Sequence, residues 1–242
     1  MALSSLVTPW YKRTPARAGG GQEQSGSVAP TSILDYQSPA VAELIARSRE
    51  LAQSPGSIEV LKAAHSIIGN EIRAVYALEE NTPTSRTMSR GFGSCSQRLA
   101  LLESVARALG VPTRVRILLI DRSFWYSRFP HIGFVLPDCI LLAWPEFNID
   151  QWQPVSELFG PIGCRGGEPF TNKDSETLFE AVGRCAVDWD DRAGNDAYNL
   201  SRFVRADYGY FTNRDQAFHQ LGQTLCTPSR LIADPVLRRI GA

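Results

Sequence analysis

Apolar positions along this chain recur first with a helical period and then with a period of two. Between residues 40 and 51, Val41, Leu44, Ile45 and Leu51 follow Pro39 at helical spacing, which predicts an amphipathic helix. Ser54-Pro55-Gly56 ends it. Ser57 is placed to cap a second helix over 58–78, where Val60, Leu61, Ala64, Ile67, Ile68, Ile72 and Val75 make a wide apolar face. A polar link, 79–90, comes next. A third helix is predicted over 95–109, with Leu99, Leu102, Val105, Ala106 and Leu109 on one side. Gly110 supplies its left-handed C-terminal residue, and Pro112 prevents continuation. The period then changes: Val115, Ile117 and Leu119 alternate with Arg114 and Arg116, which predicts a strand.

The second half is less regular. An aromatic link covers 123–130. Residues 131–136 and 140–144 predict two strands joined across Pro137-Asp138, and 151–155 predict another short one. Loop-rich sequence runs from Gly160 to Asp174, a helix is predicted over 175–187, and the remainder through Arg239 reads as mixed or helical. Helices, then strands, then helices imply an α+β fold. Residues 1–30, with Gly19-Gly20-Gly21 and a Gln/Ser/Gly stretch, bury little apolar surface and predict a disordered tail. Residues 31–242 then form a single domain.

Composition narrows the function classes. A chain of 242 residues with 43% hydrophobic and 21% charged positions is an ordinary globular sequence. Its formal net charge of zero gives no basic surface for wholesale nucleic-acid binding. The five cysteines, Cys95, Cys139, Cys164, Cys185 and Cys226, are odd in number and form no CxxC pair. A reduced, cytoplasmic protein is the simpler reading, and a zinc knuckle is disfavoured. No apolar run is long enough to span a membrane. Lys12, Arg13 and Arg17 are followed by no apolar stretch, so the N-terminus does not read as a signal peptide.

The candidate chemistry centres on Gly91-Phe92-Gly93-Ser94-Cys95-Ser96-Gln97-Arg98. It puts Cys95 in the first turn of a predicted helix, where the dipole and unpaired N–H groups favour a thiolate. A cysteine nucleophile needs a base, usually histidine, and the histidine needs an acceptor to orient it. The chain has three histidines. His65 lies inside the second helix and His219 in a late helical segment, so both read as structural. His131 opens a strand after the cysteine helix and is the candidate partner. Phe124, Trp125, Tyr126 and Phe129 either line an acyl groove beside the site or cluster under a loop. The other four cysteines lack a helix-start context and read as small core residues. Asp188-Trp189-Asp190-Asp191 reads as a solvated helix end rather than a cation site.

Residues 36–158 resemble the transglutaminase-like superfamily, a papain-like group of cysteine acyl-transfer enzymes and peptidases, in its small bacterial form. Its members carry Gly-x-Cys at a helix start, then a Leu-rich helix and Arg-Ala-x-Gly-Ile-Pro-Ala-Arg before a strand. Gly93, Cys95, Ala100, Arg107, Ala108, Gly110, Val111, Pro112, Thr113 and Arg114 match that pattern. The resemblance implies a papain-like core of helices on an antiparallel sheet, with 159–242 as a C-terminal helical extension.

The histidine half departs from the family, which shows His-x-Trp-x-Glu and then Trp-x-x-x-Asp. In the best local match, Leu142-Ala143-Trp144-Pro145-Glu146 followed by Trp152-Gln153-Pro154-Val155-Ser156, Leu142 takes the histidine position and Ser156 the aspartate position. A second register keeps His131 as the base, opposite Trp144 if the two strands pair, with Asp150 or Glu146 to orient it. The resemblance thus implies acyl transfer through a thioester on Cys95, with His131 and Asp150. The acyl donor would be an amide or thioester, carrier-bound donors included, and the acceptor an amine or water. No metal or organic cofactor is implied. The alternative is a non-catalytic binding module on the same fold.

Overall fold

The computed structural model describes residues 24–126, 136–158, 177–184, 187–188 and 198–239. The architecture is α+β, with helices packed on a four-stranded antiparallel sheet. Helix α1, Pro39–Leu51, buries Val41, Leu44 and Ile45. Helix α2, Ser57–Glu71, buries Val60, Leu61, Ala64, Ile67 and Ile68 against it. These faces match the periodicity, but α2 stops seven residues before the predicted end at Leu78. Ile72 is already extended. Arg73–Ala74, strand β1, pairs in parallel with Phe92–Gly93, strand β2. The buried side chains of Ile72 and Val75 continue the apolar row beyond the helix, while their backbone belongs to an extended segment. Val75 N–H donates to the Gly93 carbonyl at 3.1 Å.

The polar link contains a helix that local sequence does not announce, α3, Thr84–Arg90. Its cap comes from afar: Asp35 Oδ1 accepts from Thr84 Oγ1 at 2.7 Å and from Ser85 N at 2.8 Å. Gly91, at φ 67°, closes it in the left-handed region that glycine tolerates.

Helix α4, Cys95–Ala108, is the central element. Ser94 accepts from Gln97 N, and the Gln97 side chain accepts from Ser94 N, a reciprocal capping box. The sequence predicts one buried side for this helix. In the structure every residue from Ser96 to Arg107 is buried, because elements surround it. Its polar residues therefore need internal partners. Arg107 supplies the clearest case. It donates to Thr113 Oγ1 at 2.7 Å, the Ala29 carbonyl at 2.7 Å and the Thr212 carbonyl at 2.9 Å. One guanidinium thus ties the helix end to the next strand, to an N-terminal segment and to the C-terminal half.

Strand β3, Thr113–Asp121, lies between β4, Cys139–Asn148, and β8, Val204–Phe211. Short β5, Trp152–Pro154, borders β4, giving the order β5-β4-β3-β8. The two-residue strands β6, Val187–Asp188, and β7, Tyr198–Asn199, pair in parallel apart from this sheet. Alternation along β3 serves two cores. Leu118 and Ile120 join α1, α2 and α4, and Val115, Ile117 and Leu119 join Tyr208 and Phe211. Helix α6, Arg214–Leu221, adds Ala217, Phe218 and Leu221 to the second core. The helix predicted over 175–187 appears as α5, Leu178–Arg184, and α7 spans Thr227–Leu237.

Strand β8 corrects the purely helical extension expected over 159–242, since it joins the main sheet. Residues 131–135 of a predicted strand lie outside the described residues, and Trp144 is opposite Arg116 on β3. Residues 24–30, expected in the tail, are bonded to the body. Ser27 and Thr113 exchange backbone hydrogen bonds of 3.0 and 3.1 Å. Gly26, at φ 69°, passes so close to the Trp152 ring that a β-carbon would collide with it. Among the described residues, no helix is long and apolar enough to cross a membrane.

Candidate active site

Cys95 is the first residue of α4, and its half-buried thiol lines a cavity of about 460 Å³. The β1–β2 pairing sets this geometry. It lays Val75, Tyr76, Ala77 and Leu78 beside the helix start as one cavity wall. Gln97 secures the junction, since its amide donates to the Glu79 carbonyl at 2.8 Å while its oxygen accepts from Ser94 N at 3.0 Å. Ser94→Ala removes the cap bond to Gln97 N and is expected to cost about 1 kcal/mol. Urea unfolding checks this, and an unchanged midpoint would show that Gln97 holds the helix start without Ser94.

Opposite walls come from distant sequence. Ile140, Leu141 and Leu142 of β4, Leu178 of α5, and Ile232 and Leu237 of α7 face the same space. Phe124 and Trp125 of the aromatic link also line it. Tyr126 is 43% exposed and is absent from the wall, and Phe129 lies outside the described residues. The wall at 78–80 is fastened to the C-terminal region. Leu78 N donates to Asp234 Oδ1 at 2.7 Å, Glu80 N to Gln223 Oε1 at 2.8 Å, and Arg230 pairs with Glu79 at 3.0 Å.

Glu80 is the carboxylate in the described wall. It accepts from Ser96 Oγ at 2.6 Å, and Ser96 Oγ is 2.8 Å from Arg214 Nη1. Burial pushes the Glu80 carboxyl up, against the downward pull of Ser96 and Arg214. The folded state then holds this proton more tightly than the unfolded chain does. Stability falls as pH rises from the ordinary carboxylate range through the folded value. Glu80→Gln keeps an acceptor for Ser96 and removes the titration. Its urea midpoint is expected to decline less steeply with pH than that of the wild type, and parallel declines would contradict this account.

The other candidates separate clearly. His131 lies outside the described residues, but Trp125 before it and Leu136 after it both line the cavity. Asp150 is exposed in the bend between β4 and β5. The strand from Leu142 to Asn148 carries it about 20 Å from the cavity wall. Glu146, the alternative orienting group, is buried and committed to Arg114, whose Nη2 is 2.7 Å from its carboxylate. Register explains this, since Arg114 and Glu146 are direct cross-strand partners. Leu142 shares the cavity with Cys95, and Ser156 is fully buried, with an Oγ that makes no hydrogen bond among the described residues.

His65 stacks on Phe179 with ring centroids 4.4 Å apart and approaches the Phe179 carbonyl through Nε2 at 2.5 Å. His219 is exposed on α6. Neither lines the cavity. Cys139 is half-buried at the start of β4. Cys226 departs from the core reading, because it is the N-cap of α7. Hydrogen bonds from Ser229 lower its thiol. Cys164, Cys185 and Asp190-Asp191 lie outside the described residues. Sequence reasoning missed Glu80, Gln97, Arg214 and Asp234. The Ser-x-x-Gln spacing at 94–97 signals the capping box, whereas the other three owe their positions to contacts across the whole chain. Compared with family models, curated proteins and solved structures, the chain matches none.

Proposed function

We propose that this protein transfers acyl groups through a thioester on Cys95, on a transglutaminase-like core. The observation that carries the reading is a thiol at the first position of a capped helix, opening onto a cavity large enough for a substrate. The Cys95 thiolate attacks the carbonyl carbon of an amide or thioester, and a sulfur–carbon bond forms. The tetrahedral oxyanion is held by N–H groups at the start of α4. The carbon–nitrogen or carbon–sulfur bond then breaks, and the leaving group takes a proton from His131. Water or an amine, deprotonated by His131, attacks the acyl-enzyme and releases Cys95. The flanks of the His131 segment support this role, since Trp125 and Leu136 both line the cavity. The geometry does not favour Asp150 or Glu146 as the orienting group.

A second reading has its own observation. Leu142, at the position where the resemblance expects histidine, lines the cavity with Cys95. That arrangement favours a binding module that keeps the pocket without the chemistry. Turnover of an acyl-N-acetylcysteamine thioester, followed by loss of thioester absorbance, separates the two. Acyl transfer predicts turnover in the wild-type protein and none in His131→Ala. Unchanged turnover in His131→Ala would remove His131 from the mechanism. No turnover in the wild type would leave the binding module.

A further inference from the structure

We propose that the cavity beside Cys95 is a binding site for an unbranched alkyl chain, entered past α7, so that the acyl groups it receives are medium-chain and apolar. The inference rests on the same cavity as the acyl-transfer reading but not on its chemistry.

Size comes first. A cavity of about 460 Å³ is within the range of sites that take a small ligand, and it gives room to a decanoyl group. The chemistry of the walls comes next. Val75, Leu78, Leu142, Leu178 and Leu237 present hydrocarbon. The hydroxyl groups of Thr224, Thr177, Ser229 and Ser96 in the wall are already engaged inside the protein. Thr224 Oγ1 accepts from Leu141 N at 3.0 Å, Thr177 Oγ1 bonds Glu180, and Ser229 Oγ contacts Cys226 Sγ at 3.1 Å. Ser96 Oγ likewise donates to Glu80. Along this hydrocarbon stretch, away from Glu80 and the N–H groups at the start of α4, a polar ligand would lose its water without gaining partners, while an alkyl chain gains from burial.

Entry is explained by α7. Ile232 lines the cavity and yet is 77% exposed, so the cavity opens to solvent beside this helix. Val236, also exposed, shares the helical face of α7 that carries Ile232 and Ala233 and extends the apolar surface beside that opening. An apolar rim of this kind on an otherwise charged protein marks an interaction site.

Isothermal titration with butanoic, hexanoic, octanoic and decanoic acids tests the proposal, using wild-type protein and Cys95→Ser. Affinity is expected to rise about fourfold per added methylene as burial proceeds, and to stop rising beyond the cavity's capacity. Cys95→Ser should retain this series, because chain binding needs no thiol. Ala233→Trp and Leu142→Phe, each placing bulk in the cavity, should weaken decanoate at least tenfold. Circular dichroism would show which of the two keeps the native fold. A flat chain-length series, or decanoate affinity unchanged in a folded filling variant, overturns the proposal. Titration of decanoyl-N-acetylcysteamine in Cys95→Ser distinguishes a free acid from a thioester as the chain's source. Chain binding without thioester turnover would sustain this site while removing the acyl-transfer reading. Turnover without chain-length preference would do the reverse.

Discussion

Arg214→Ala is expected to destabilise the fold by about 3–5 kcal/mol, the largest stability loss of any single exchange considered. Arg214 and Glu103 are 1% and 0% exposed, with Nε 2.5 Å from Oε1. They join α6 to the middle of α4. Burial already pushes the Glu103 carboxyl up, and the charges of Arg214 and Arg107 restrain that shift. Removing Arg214 leaves the carboxylate buried without its main counter-charge and also removes the contact to Ser96 beside Cys95. The sign with pH follows. Without Arg214, the folded protein favours protonated Glu103 more strongly, so the deficit should be larger at neutral pH than in mild acid. The double exchange Glu103→Leu/Arg214→Met should recover part of the loss, because no buried charge remains. Urea unfolding of the single and double variants at two pH values checks this. A loss within 1 kcal/mol in Arg214→Ala, or a double variant weaker than the single one, would contradict it.

Cys95→Ala is expected to lower acyl-thioester turnover by about 10⁴-fold or more, to the uncatalysed background. The fold should be almost unaffected. Cys95 is half-buried at the first position of α4, where alanine is well tolerated, and the Ser94–Gln97 capping box does not use its side chain. The unfolding midpoint should therefore stay within the range of an ordinary surface exchange. Cys139→Ala and Cys226→Ala serve as controls. Burial and the nearby Asp121 carboxylate push the Cys139 thiol up, whereas Ser229 lowers that of Cys226. Cys226 is thus the informative rival, a second thiol at a helix start. Turnover that survives Cys95→Ala but disappears in Cys226→Ala would move the chemistry to α7.

How much of this was legible in the sequence depended on where each element's partners lie. Helix α4 was readable because its limits are local: Ser94 and Gln97 at one end, Gly110 and Pro112 at the other. Strand β3 was readable from alternation. Helix α2 ran too long in the sequence because Ile72 and Val75 keep its apolar row while the backbone turns to pair with β2. Helix α3 was invisible because Asp35 caps it from a distant segment. Strand β8 does show a period of two, in Val204, Ala206 and Tyr208. However, Arg205 and Asp207 between them find their counter-charges on β3, in Asp121 and Arg116.

The same distinction holds at the site. Cys95 was identifiable from its immediate neighbours. The cavity was not, because Thr224, Ile232 and Leu237 arrive from the other end of the chain. Glu146 looked available until the register placed it opposite Arg114. Asp150 follows Trp144 closely in sequence, yet it sits at the far end of β4 from the cavity.

Acid-quenched intact mass after brief mixing with decanoyl-N-acetylcysteamine tests the central claim most directly, with the adduct located by tryptic mapping. A single decanoyl group is expected on the peptide 91–98, which carries Cys95. No adduct, or decanoyl groups shared equally among Cys95, Cys139 and Cys226, would contradict it.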